Sequence, residues 1–191
     1  MYWTEVKEKK VYVTRKMYME LRGDKLSMAW RKILFDNHVR PRSLFTLWLA
    51  LREKLPTKDR LKQFGFIDEN VCSYCEDIES TNHLLFACKG TNHIWKEVLK
   101  WMHIQREPDC WSQEVRWMTT EANKKGWKTQ ILKIALAETV YEVWRYGNEK
   151  IFSNRNIDHF VGNKIKESIL GRCLMSRKLQ SHVNVSQSCI E

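Results

Sequence analysis

Glycine and proline are scarce in this chain, seven and three among 191 residues. So little punctuation excludes the turn-rich pattern of a β-sandwich or barrel and predicts short loops between long ordered segments. No apolar run reaches the ~20 residues that a membrane-spanning helix needs, so no membrane contact is expected. Met1-Tyr2-Trp3-Thr4 does not open a signal peptide. There is no Asp-Asp pair, no Gly-rich phosphate loop and no nucleophile motif. Those absences remove two-metal polymerases, P-loop enzymes and the common hydrolases. The acidic set of an RNase H or an endonuclease is missing too. The expectation is a protein without catalytic activity and without a small-molecule substrate.

What is present points to helices. Nine tryptophans, seven phenylalanines and a 43% hydrophobic share supply enough apolar bulk for one or two small packed units. The expected fold class is all-α, or mainly helical, with a short Cys/His zinc-binding turn. Six cysteines without a secretory signal suit a reducing compartment, the nucleus or cytoplasm. There, paired cysteines hold metal more often than they form disulfides.

Four segments follow from the pattern. Residues 1–27 form a basic lead-in, with a helix expected over 12–22. Residues 28–107 hold the cysteine motif, and Pro108 marks the clearest boundary. Residues 108–180 read as a C-terminal helical region and 181–191 as a flexible tail. Within the second segment Leu44, Leu47, Trp48, Leu51 and Leu55 make an amphipathic stripe that Pro56 ends. Thr57 is placed to cap a short helix that Gly65 closes. Further on, Trp95, Val98, Leu99 and Met102 form another stripe. Leu132, Leu136, Val140, Val143 and Trp144 share a face of a long helix, and Val161, Ile165 and Ile169 line a last one. Trp48 and Trp95, sitting on apolar stripes, are expected in the core.

Chemistry sits in one spacing. Cys72-Ser73-Tyr74-Cys75 is followed, after seven residues, by His83 and, after four more, by Cys88. A two-residue gap lets one tight turn present two thiolates to a single ion, and His83 and Cys88 can both point inward from the start of a helix. Three thiolates and one imidazole make the closed tetrahedral shell of structural zinc, with no open position for water. Cys72, Cys75, Cys88 and His93 form a rival shell, and spacing alone does not choose between the histidines.

The order of landmarks resembles a known family. Val39-Arg40-Pro41-Arg42-Ser43-Leu44-Phe45-Thr46-Leu47-Trp48 leads to Leu55-Pro56-Thr57-Lys58-Asp59-Arg60-Leu61. Cys72 and Cys75 follow, then Glu79-Ser80, His83-Leu84-Leu85-Phe86, Cys88 and Ile94-Trp95. This series is similar to the zinc-binding domain downstream of the reverse transcriptase in plant LINE-type (non-LTR) retroelements. The strong match covers about residues 28–96, and Tyr12 to Leu21 fits the lead-in. The resemblance implies zinc ligands at Cys72, Cys75, His83 and Cys88. Val143 to Phe152 looks like the helix that follows this domain in such elements, with Gly147 where Arg is usual. A stand-alone fragment of a retroelement polyprotein is the expectation, either a remnant or a gene taken over by its host.

Charge supplies the functional hint. The net charge is +10, with 16 Lys/Arg against 9 Asp/Glu in residues 1–70 and 13 against 8 in residues 111–191. The cysteine segment between them, residues 71–110, has 4 against 6. Basic flanks of this kind favour RNA or DNA through phosphate neutralisation. Arg40, Arg42, Arg52, Lys54, Lys58, Arg60 and Lys62 are the candidate contacts. The alternative is a zinc-stabilised adaptor for a protein partner, with the Met- and Trp-rich C-terminal helices as its contact face.

Overall fold

The computed structural model describes residues 28–35, 37–153 and 160–182, with nothing said of the side chains of 151–153. The helix expected over 12–22 and the tail beyond 182 lie outside them. Among the described residues there are seven α-helices, one π-helical turn and no strand beyond a single Val71–Ile78 bridge. In chain order the helices are α1 (Arg31–Leu34), α2 (Pro41–Leu51), α3 (Lys58–Gln63), α4 (Asn92–Trp101), α5 (Trp111–Glu121), α6 (Trp127–Ser153) and α7 (Phe160–Met175). The π turn spans His83–Ala87, between α3 and α4.

Helix α6 runs through the middle. Residues 131–140 are buried without a break, as expected of a helix packed on all sides rather than on one stripe. It meets α2, α7, α4 and the π turn. The stripe of Leu132, Leu136, Val140 and Val143 is buried, but so are Lys133, Glu138, Thr139 and Glu142 on the remaining faces. Charged groups stay inside only when paired. Glu138 takes the Arg40 guanidinium and the Ser43 hydroxyl. Glu142 takes Arg145 at 2.7 Å and Lys164 at 3.6 Å, and Lys133 donates to the Phe35 carbonyl.

Helix α2 starts with Pro41 in its first turn, where a missing N–H costs nothing. It packs on α6 and buries Ser43, Thr46, Leu47, Ala50 and Leu51, with the Ser43 hydroxyl on Glu138 of α6. That choice of face corrects the expectation for Trp48. The fully buried side is Ser43, Leu47 and Ala50, one residue round the helix from Trp48, so the indole lies outside, 39% exposed. Trp95 is fully buried as expected. The helix also stops at Leu51 rather than at Pro56. Glu53 adopts a positive φ of 53°, and the Lys54 N–H reaches back to the Leu49 carbonyl at 2.7 Å, closing the last turn in a left-handed cap.

Residues on both sides of Pro108 join one apolar cluster reaching from Ile33 to Leu179. Its join is the buried carboxylate of Glu114 on α5. It accepts the Trp95 indole N–H at 2.9 Å, the Arg106 guanidinium at 2.7 Å and the Asp109 N–H at 3.1 Å. Helix α7 lies along α6, with Val161, Ile165, Ile169 and Cys173 buried. No helix among the described residues is long and apolar enough to cross a membrane.

Candidate metal centre

The two ends of the Cys/His motif are built by different local chemistry. Val71 and Ile78 bridge antiparallel, Cys72 donates its N–H to the Asp77 carbonyl at 2.8 Å, and Glu79 donates to Asn70 at 2.8 Å. This narrow loop presents Cys72 and Cys75 from one knuckle. The other end is the π turn. In an α-helix, residues five apart point about 140° away from each other. Here the Cys88 N–H bonds to the His83 carbonyl at 2.8 Å, an i→i+5 closure that widens the turn and returns residue 88 toward the side of residue 83. The widening frees the Leu84 carbonyl, and the Thr91 hydroxyl donates to it at 2.7 Å.

These pieces converge. The ligand atoms of Cys72, Cys75, His83 and Cys88 all lie within 4.8 Å of one another. Cys88 Sγ is 3.7 Å from Cys72 Sγ and 3.7 Å from Cys75 Sγ, and His83 Nε2 is 3.0 Å from Cys75 Sγ. Thiolates bound to one zinc at ~2.3 Å stand about 3.8 Å apart along a tetrahedral edge, so the sulfur spacing suits that ion. Backbone N–H groups of Tyr74 and Gly90 point at Cys72 Sγ and Cys88 Sγ, at 3.5 and 3.4 Å. Such donors disperse thiolate charge and fix ligand direction, as outer-shell groups do in metal sites. His93 is exposed on α4 and outside the cluster, so the geometry selects His83.

The protons of the cluster are shared unevenly. A hydrogen bond from the Cys88 thiol draws Cys72 down to about 4. The same bond, with burial, pushes Cys88 above the ordinary thiol range, and burial pushes Cys75 up. Binding of a cation to all three sulfurs therefore expels protons and is favoured as pH rises.

Two residues outside the cluster support it. Glu79, 4% exposed, accepts the Lys58 N–H at 3.2 Å from its side chain, and its carbonyl accepts the Asp59 N–H at 3.1 Å. It thereby serves the start of α3, whereas the Thr57 hydroxyl turns to Asp59 instead of capping. Burial raises the Glu79 carboxyl above its usual range. Gly90 lets the two knuckles touch: a Cβ there would sit 2.6 Å from Tyr74 Cβ. Gly90→Ala is expected to separate them and weaken zinc binding at least tenfold, read by competition with a chromogenic chelator. Unchanged affinity would mean that the knuckles slide apart freely.

The basic candidates divide. Arg42, Arg52, Lys54 and Lys62 are exposed, and Arg60 is half-buried with its guanidinium on the Glu53 carbonyl at 3.0 Å. Two of the candidates have partners within the fold. Arg40 is committed to buried Glu138, an ion pair the core of α6 requires. Lys58 ties α3 to the metal loop through the Val71 carbonyl at 2.8 Å and Ser73 Oγ at 2.9 Å. Gly147, the departure from the family pattern, is buried beside Leu84 of the π turn.

No curated protein and no solved structure matches the chain. Residues 12–95, which include the Cys/His segment, match the family model described as zinc-binding in reverse transcriptase.

Proposed function

We propose that this chain is a retroelement-derived zinc protein that binds RNA or DNA and catalyses nothing. The observation that carries the reading is the convergence of Cys72, Cys75, His83 and Cys88 within 4.8 Å, inside a segment of the reverse-transcriptase zinc-binding family. Four protein ligands would fill a tetrahedral zinc and leave no place for a reacting water, so the ion would hold the fold. The plant LINE lineage and a nuclear or cytoplasmic location belong to this same reading.

Nucleic-acid binding is supported by the +10 net charge and by four exposed cations, Arg42, Arg52, Lys54 and Lys62, close together in sequence. Many apolar residues of the C-terminal helices turn into the core, while Phe160, Leu174 and Met175 of α7 stay exposed and keep the adaptor alternative open to test. Four phosphate contacts on a single strand give a log–log salt slope near −3, roughly a 50-fold loss of affinity between 50 and 200 mM salt. Protein purified without added zinc should carry one zinc per chain and bind a DNA or heparin column with that steep salt response. A metal-free, chelator-indifferent protein would sink the zinc half of the proposal. Absence of retention at low salt would sink the other half.

A further inference from the structure

We infer that the outer face of α2 is a stacking platform for single-stranded nucleic acid; this deepens the nucleic-acid reading above and rests on it. Arg42, Phe45, Trp48 and Arg52 recur at intervals of three, three and four residues, which places them in one row along a helix. The row opposes the side packed on α6. Phe45 is 59% and Trp48 39% exposed, unusual positions for large rings on a helix whose other face is so well buried. The two rings stack on each other, centroids 5.7 Å apart and planes at 26°. At one end Arg52 stands over the indole at 5.7 Å, and at the other Arg42 is exposed with no ion partner among the described residues.

The arrangement is basic, aromatic, aromatic, basic, over about 15 Å of helix axis. Phosphates would meet the two arginines and bases would meet the rings, the combination by which proteins hold single strands without reading sequence. A duplex is a poor fit. Its bases present no open faces, and Phe and Trp have no hydrogen-bond pattern with which to read base edges in a groove. A protein partner is a poorer fit than a strand, because cations at both ends call for an anionic chain rather than a purely apolar one. At ~3.4 Å per stacked nucleotide the row spans roughly four nucleotides.

The test uses the full zinc-loaded chain and fluorescence anisotropy, with a labelled ten-nucleotide RNA as single strand and as a duplex with its complement. Trp48→Ala is expected to weaken single-strand binding about 5- to 150-fold, the range for losing one base stack, without changing the salt slope. Trp48→Phe, which keeps a ring, should recover most of the affinity. Arg42→Gln with Arg52→Gln should flatten the salt slope by about 1.4, or ~0.7 for each lost phosphate contact. Zinc content and helical circular dichroism of each variant establish that the fold is intact, and Phe45→Ala serves if Trp48→Ala fails that check. Salt-sensitive binding that ignores both ring deletions would overturn the platform while leaving the nucleic-acid reading intact. A stronger hold on the duplex would do the same, as would a dimer that Trp48→Ala dissolves, which would assign the row to a second copy of the chain. Failure of the unaltered protein to bind either RNA at low salt would end both proposals together.

Discussion

Cys75→Ser is expected to strip protease resistance from residues 55–100 while α6 and α7 stay protected. The reason lies in how little else holds the metal loop. From Lys62 to Ile78 only Cys72 is buried, and Phe64, Phe66, Val71 and Ile78 all face water. Their burial, worth about 1.5–3 kcal/mol for each large side chain elsewhere, contributes little to this stretch. What remains is a few backbone hydrogen bonds, each worth roughly 1 kcal/mol net. Structural zinc in small peptides supplies on the order of 10–16 kcal/mol, so losing one of three thiolates removes the dominant local term. Limited proteolysis read by mass spectrometry should show new cuts between Thr57 and Gly90, and a strong chelator should reproduce them in the unaltered protein. A digestion pattern identical to the parent's would show that the cluster is dispensable for folding.

The second large effect is expected at Glu114. Its carboxylate is fully buried and serves three donors from three places in the chain: Trp95, Arg106 and the Asp109 backbone. Glu114→Ala leaves a buried indole N–H unpaired and the Arg106 charge uncompensated beside the Trp117 ring, 4.1 Å away. Removing one member of a buried ion pair typically costs about 3–5 kcal/mol, which for a chain of this size lowers the melting temperature by roughly 10 °C. Glu114→Gln keeps an acceptor for the indole and should fall between the two. Zinc content should not change in either variant, which separates this effect from that of Cys75→Ser. A shift below about 2 °C for Glu114→Ala would mean that water replaces the carboxylate at no cost.

The three thiol ligands were legible because their chemistry is carried by residue type and spacing, whereas the choice of His83 over His93 needed the resemblance and the folded geometry. The helical class was legible too, from stripes such as Val98–Leu99 and Ile165–Ile169. What the pattern hid was the packing partner. Leu47 and Trp48 are equally apolar, and only the close approach of α6 through Ser43 and Ala50 decides which of them turns inward. The same holds for Arg40. As a letter it is one more cation on a basic helix, and it becomes structural only because Glu138, 98 residues away, lies buried opposite. The π turn left no signal, since its widened hydrogen bonding is matched by Thr91, seven residues beyond Leu84, donating to the Leu84 carbonyl.

The central place of α6 has a consequence for the order in which the molecule can be made. The metal ligands lie within 17 residues, Cys72 to Cys88, so their assembly is local and fast, whereas the contact of α2 with α6 closes a loop of nearly a hundred residues. During synthesis the cysteine knuckles leave the ribosome well before Trp127 does. For that interval the sides of α2, α4 and the π turn that meet α6 have nothing to cover them. A nascent chain paused near Pro108 would thus be an open half-molecule, tied by a metal if the cluster holds one, with an uncovered apolar floor. The stretch that matches the family model, residues 12–95, is shorter than the stretch that must exist before the molecule can close.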